Sequence, residues 1–519
     1  MSDSTTAEPP ARTPYPTWTA PPGVTPRRAW AAFAVLLIGA FMSLLDTTIV
    51  NVALPTIRDA IDADEATLAW IISGYALAFG LALIPAGRLG DRFGHKWVFF
   101  TGLAIFTAAS LWCGLAQGPV ELIIARVVQG LGGGIFFPAV TAFGQLLFAP
   151  QKRGAAFGVM GAVIGVSTAL GPIVGGLLIE ALGDETGWRW IFAVNIPIGV
   201  VALVLAATVI PAVKAGQKAA TDLVGLLLLA AGLTALLVPL IQGQDEGWPL
   251  WTFLSLAGGV VLLVAFWFWE SALARRGVVP LVPPRLFAHP QFTGGTVLAL
   301  VYFAAFTSIF FVIALLWQAG LGHTALESGL VTIPFAIGNI VGAATSDRLA
   351  QRLGRGVLLL GTALVAVGLA AVWLVLELVP AADLNNWLLL APLLVAGIGN
   401  GFFIAPNARF IVATVDGKDA GAASGVIGTV QRIGSAIGIA VVSSVLFAVA
   451  DLGSVGDDIQ AAMQSGDFSS PDAAAASVLA DHFVPAATTA LALSVAFAVI
   501  SFALVWTLPK RVSLHGAPD

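Results

Sequence analysis

The chain has 519 residues, 58% of them hydrophobic and only 10% charged, with a formal net charge of −5 at pH 7. A water-soluble domain carries about 25% charged residues, so water cannot be the only solvent for this surface. The acidic balance leaves no basic face for a nucleic acid. A single cysteine, Cys113, excludes internal disulfides and any metal cluster held by several cysteines. Inside an apolar run, it reads as a small buried hydrophobe.

The first 26 residues hold seven prolines among Ser, Thr and Ala, so residues 1–29 are expected to be a disordered cytoplasmic tail. Arg27 and Arg28 then precede a long apolar run with no small-residue cleavage site, which predicts a retained first span. Apolar runs long enough to cross a bilayer follow at 30–50, 68–88, 97–116, 120–143, 155–180 and 190–210, predicting six helices within 30–212. Two more, at 223–241 and 250–269, lie in the segment 213–290. The last six, at 292–316, 328–346, 357–378, 387–407, 420–449 and 484–508, fall in 291–508, with an outer loop at 450–483 and a cytoplasmic tail at 509–519.

Charge placement supports the count of fourteen. Of 24 Lys and Arg, Arg126 and Arg432 lie within spans and Arg58 and Arg189 in the opposite loops; all others fall on the side of the N-terminal tail. That asymmetry predicts cytoplasmic termini. Residues 450–483 hold six Asp and no Lys or Arg, as suits the outer face.

A shift of 267 residues aligns span four with span twelve and span five with span thirteen. Gly130, Gly132, Gly134 and Phe136 fall on Gly397, Gly399, Gly401 and Phe403, and GAAFGVMGAV from Gly154 falls on GAASGVIGTV from Gly421. The expected fold is all-α and polytopic: two six-helix bundles related by an axis along the membrane normal, plus two additional helices. Such parallel halves place a cargo site at their interface. In span five, Gly154, Gly158, Gly161, Gly165, Pro172 and Gly175 form one face where helix backbones can approach. That face serves either static packing or movement of the halves. Pro172, after Gly171, adds a bend.

Charges inside spans are costly and mark function. Asp46, in LLDTTIVNVALP, and Arg126, in ARVVQGLGGG, both fall about 6–12 Å inside the outer boundary at 1.5 Å per residue. Equal depth lets them share one cavity. Loss of water disfavours the charge on a carboxylate there, while a guanidinium favours it. Such a balance can tie proton uptake to cargo; a structural ion pair is the plainer alternative. Arg432, in span thirteen, stands where the repeat puts Gly165 and asks for an acid, a watery opening or an anionic ligand. With Gln431 beside it and Gln129 in span four, it is a candidate for cargo contact or gating.

Residues 87–96, GRLGDRFGHK, are expected to form the cytoplasmic loop between spans two and three. Gly87 and its fellow glycines permit a tight turn, Arg88, Arg92 and Lys96 hold it inside, and Asp91 pairs with them or caps the next helix. A degenerate copy, SDRLAQRLGRG, begins at Ser346.

With these motifs the chain resembles the major facilitator superfamily, and within it the fourteen-span drug:proton antiporters (EmrB/QacA type). GRLGDRFGHK is similar to the superfamily loop motif, with His95 where Arg is usual. ARVVQGLGGG resembles the motif of the fourth helix, whose arginine, here Arg126, the resemblance implicates in proton transfer. GVSTALGPIVGG from Gly165 resembles the antiporter motif, whose Gly171-Pro172 implies export. LLDTTIVNVALP and WRWIFAVNIP are similar to signatures of the fourteen-span group, and Asp46 matches its membrane-embedded acid. Some relatives in that group that expel dications carry further acids in late spans. Here, spans eleven to fourteen have none near midplane, and Asp222 and Glu327 lie only at span ends.

The expectation is a proton-coupled exporter of small hydrophobic or monocationic compounds, of multidrug-efflux type, in a bacterial inner membrane. Asp46 would carry the proton, the proton gradient would supply the energy without a cofactor, and the protein would act as a monomer. A dedicated exporter of one endogenous metabolite, antibiotic or lipid fits the same features. A transporter-like receptor or scaffold fits them less well, since no loop is the size of a signalling domain. There is no GxxxxGK[ST] and no HExxH, so neither ATP-driven pumping nor zinc hydrolysis is expected.

Overall fold

Backbone in hydrocarbon must satisfy its own hydrogen bonds, so the apolar runs form helices. The computed structural model describes residues 24–509 except 64, 184–185, 213–221, 244–245, 414, 416–418, 452–453 and 466–469. Among the described residues there is no strand, and 14 helices are long and apolar enough to cross a membrane. Most of both expected tails and of the linker after the sixth span lies outside the described residues.

The first six crossings are α1 (Pro26–Ile61), α2 (Glu65–Phe93), α3 (His95–Leu115), α4 (Pro119–Leu146), α5 (Pro150–Leu182) and the pair α6 (Gly187–Ala193) and α7 (Asn195–Val209), one crossing interrupted at Val194. The additional pair is α8 (Leu223–Gln242) and α9 (Leu250–Arg275). The second set is α10 (Pro290–Leu315), α11 (Ala325–Val331) continued by α12 (Ile333–Leu353), α13 (Gly356–Leu378), α14 (Asn386–Val412), α15 (Ala420–Ala450) and α17 (Pro471–Val505). A short α16 (Val455–Ser465) follows α15. Proline stands in the first turn of α1, α4, α5, α10 and α17, where its missing N–H costs nothing.

Two expectations need correction. Residues 87–96 are not a loop: α2 runs to Phe93 and α3 starts at His95, leaving Gly94 alone between them at φ 94°. Glycine adopts that conformation without steric cost. The stretch 450–483 is not an open loop either, because α16 lies in it and α17 begins at Pro471 rather than near 484. The run AAAA after Pro471 favours helix, and Ser470 Oγ caps it by accepting from the Ala473 N–H at 3.2 Å.

In the first bundle α4 packs on α2 and α3, and α1 on α5 and α7; in the second α14 packs on α12 and α13, and α10 on α15 and α17. The repeat is visible in these contacts. Gly130 of α4 lies against the Tyr75 carbonyl of α2, and Gly397 of α14 against the Phe335 carbonyl of α12, with no room for a Cβ at either. The bundles meet where α5 lies on α12 and α14 and where α2 lies on α15, and α8 covers the second seam by touching both α2 and α15. Along α5, Gly158 and Gly161 face Ala343 of α12, and Gly165 faces Asn339. The glycine face of span five is thus a contact between the halves.

Candidate functional site

Asp46 of α1 and Arg126 of α4 meet directly, with Nη1 to Oδ2 at 2.6 Å. Both are shut away, at 0% and 1% exposure. The α2–α4 glycine clasp brings α2 close enough for Arg126 Nε to donate to the Ile71 carbonyl at 3.2 Å. The guanidinium stacks 4.2 Å from the Tyr75 ring centre, a cation–π contact in an apolar surround. Gln129, one turn along α4, donates to Asp46 Oδ1 at 2.8 Å and to Ser110 Oγ of α3 at 2.7 Å, and accepts from Arg126 at 2.6 Å. Asn195 Nδ2, at the start of α7, donates to the same Asp46 Oδ1 at 2.9 Å.

The carboxylate therefore receives three donors from two neighbouring helices, one of them the charged guanidinium that balances it. Among the described residues Asn195 Oδ1 is buried with no partner. Tyr75 Oη lies 3.2 Å from Ser43 Oγ and tethers the stacked ring to α1.

Sequence reasoning brought Asp46 and Arg126 together but placed Gln129 with the cargo-facing candidates; it is fully buried and belongs to the acid. It did not single out Asn195, Ser110 or Tyr75. The available signal was an Asn inside WRWIFAVNIP, since an amide amid apolar residues needs a partner. Cys113 is buried and donates weakly to Gln129 at 3.5 Å.

Arg432 of α15 is placed elsewhere, at the seam between the bundles. It is half-buried, as is Gln431 beside it, and its guanidinium lies 4.3 Å from the Phe79 ring centre. No acid pairs with it among the described residues. Phe79 in turn packs on Tyr75 with ring centres 5.9 Å apart, so an aromatic pair separates Arg432 from Arg126.

The motif residues form a clasp at the basic end of the molecule. Gly87 lies against the Gly421 backbone of α15. Asp91 accepts from the Gly421 and Ala422 N–H groups at 3.1 and 3.3 Å, capping α15 across the seam. Arg88 stands 3.6 Å from Asp91 and 3.7 Å from Asp419, His95 is 3.3 Å from Asp91, and Arg92 stacks on Phe93 at 4.9 Å. On the other seam Gly154 packs against Asp347, which pairs with Arg409 at 2.5 Å. Gly171 lies against Thr48 and Ile49 of α1, and Pro172 against Gly329 of α11.

A fold of two repeated bundles with a buried acid–arginine cluster in one of them defines a membrane transporter, and residues 36–439 match the Major Facilitator Superfamily model. The chain belongs to that superfamily. It is 38% identical over 421 residues to a probable actinorhodin transporter of Streptomyces coelicolor, covering 81% of this chain and 73% of that one. It is 34% identical over 494 residues to a puromycin resistance protein of Streptomyces alboniger, covering 94% and 92%. Its fold matches the crystal structure of the human organic anion transporter MFSD10 at a TM-score of 0.61, with 15% identity over 93% of this chain and 100% of that one. Fourteen spans and antibiotic export or resistance relatives agree with the fourteen-span antiporter group.

Proposed function

We propose that this protein expels small lipophilic molecules across a bacterial inner membrane in exchange for protons, with both termini cytoplasmic, no bound cofactor, and a monomer as the working unit. The observation that carries this reading is Asp46, fully buried and held by Arg126, Gln129 and Asn195. A carboxylate with that environment has no structural need for its charge, since apolar packing of equal volume is commonly as stable. The names of the relatives, which refer to antibiotic transport and resistance, support export.

In the proposed cycle a proton reaches Asp46 from outside, cancels its charge and frees Arg126 from it. The Tyr75–Phe79 pair then lies over an uncompensated guanidinium, and the adjoining seam favours the other arrangement of the bundles. Loss of the proton on the cytoplasmic side restores the pair. One charge moving inward through 100 mV supplies about 2.3 kcal/mol, enough for a modest cargo gradient. Arg432 and Gln431 are proposed to meet the cargo. A half-buried guanidinium with no acid beside it among the described residues repels cations, so neutral or acidic cargo is favoured over the monocations expected from sequence.

The test uses proteoliposomes with an imposed pH gradient and a panel of neutral, acidic and cationic lipophilic dyes. Asp46→Asn should abolish gradient-driven movement while dye binding stays measurable. Full transport in that variant refutes the role given to Asp46, and a preference for cationic dyes refutes the one given to Arg432.

A further inference from the structure

The additional helices carry a second acidic site, far along the chain from Asp46. Glu270 of α9 is 1% exposed. Its Oε2 accepts from the Val282 N–H at 2.9 Å, while Oε1 is buried with no hydrogen-bond partner among the described residues. That oxygen converges on Asp222 Oδ2 at Gly225, where an added Cβ would strike both. Asp222 is half-buried and caps α8: its Oδ1 accepts from the Gly225 N–H at 2.9 Å, and both of its oxygens lie 3.0 Å from Trp269 Nε1. Two carboxylates facing each other with no donor between them repel, and an unmet buried acceptor is costly. One proton placed between them removes both penalties. Two acids fall short of a metal site, and no group of three or more potential ligands occurs among the described residues.

The same site grips the chain that leaves α9. Residues 280–282 are held from one side by Glu270 and from the other by Arg88, whose Nε and Nη2 donate to the carbonyls of Leu281 and Pro280 at 2.6 Å each. Arg88 is also the clasp residue that reaches Asp91 and Asp419, and Arg285, just beyond the strap, pairs with Asp419 at 2.7 Å. The charged groups facing Glu270 are therefore Asp222 from α8 and Arg88 from α2, with Asp91, Asp419 and Arg285 behind Arg88. Arg275 and Arg276, on the end of α9 itself, are exposed.

We propose that Asp222 and Glu270 form a proton-binding site that shares one proton, and that its occupancy sets the hold of the 280–282 strap on Arg88. When the proton leaves, the added negative charge draws Arg88 toward the strap and away from Asp91 and Asp419, and the clasp between α2 and α15 loosens. Asp222, being half-buried, is the route by which the proton enters and leaves. The site itself does not depend on Asp46 acting as proton carrier; only its effect on the clasp bears on transport.

Infrared difference spectra of the full-length protein in lipid nanodiscs, stepped upward in pH, test the site. The parent and Asp46→Asn should lose a protonated-carboxyl stretch that is missing from both Glu270→Gln and Asp222→Asn; an unaltered stretch in those two variants overturns the proposal. Thiol labelling at Ala422→Cys, in a Cys113→Ala background, reads the clasp. Labelling should climb with pH in the parent and lose that dependence in Glu270→Gln. An unchanged pH profile there overturns the link to Arg88, whatever Asp46→Asn does to transport.

Discussion

At the centre of the first bundle stands an ion pair, Asp46 with Arg126 at 2.6 Å. At the centre of the second stands a neutral chain: Tyr302 Oη donates to Asn400 Oδ1 at 2.6 Å, and Asn400 Nδ2 to Asn339 Oδ1 at 2.7 Å. Arg126 corresponds in the repeat to Leu393, which is fully buried. Both centres sit beside the same glycine clasp, at Gly130 and at Gly397. One packing plan thus tolerates a charged or a neutral centre, which separates the charge from the packing and leaves it available for work. The neutral chain instead reaches outward, since Asn339 Nδ2 donates to the Gly161 carbonyl of α5 in the other bundle at 3.0 Å.

The comparison can be broken at its strongest point by making the first centre as neutral as the second. Arg126→Leu alone strands a buried carboxylate and should cost about 3–5 kcal/mol, seen as a large fall in melting temperature. Adding Asp46→Leu should recover most of that stability while gradient-driven transport stays absent. A double variant that still follows the pH gradient would return the pair to a purely structural role. Asn339→Leu leaves the buried Asn400 Nδ2 without its acceptor and removes the bond to α5, at about 1–3 kcal/mol for a buried group left unpaired. Proton dependence should survive it, because no titrating group is touched; transport assayed against pH decides. Asp91→Ala removes the cap on α15 and should cost about 0.5–2 kcal/mol, read as faster labelling at the basic end with the melting temperature barely moved. Smallest is Cys113→Ala, below about 1 kcal/mol in melting experiments, since the thiol makes only a 3.5 Å contact to Gln129.

How much of this was legible depended on range. Fourteen spans follow from local hydropathy and the side on which Lys and Arg fall, and these need no knowledge of neighbours. The repeat was legible because glycines mark places where backbones touch. Asp46 and Arg126 were legible because a charge in hydrocarbon is anomalous wherever it points. Asn195 was not, since an amide in an apolar run is a weaker anomaly and its partner lies 149 positions away. Glu270 escaped for another reason. Near the end of an apolar run a glutamate looks wet, but residues 280–282 return over it and α8 packs against it, so it is buried. The helical character of 87–93 was hidden by glycines that suggested a turn, whereas Gly87 is small to admit Gly421, and Gly94 alone makes the turn.

The glycine face of α5 touches the second bundle from Gly154, beside Asp347, to Gly176, beside Leu326. A rail so nearly bare of side chains has few knobs to climb over, so sliding or rolling along it meets little resistance at intermediate positions. The preference for one end state over the other must then be written in the few polar contacts along the rail, such as Asn339 on the Gly161 carbonyl and the Asp347–Arg409 pair beside Gly154. A bulkier residue in its middle, such as Gly161→Leu, should act as friction, slowing exchange between the states more than it shifts their balance.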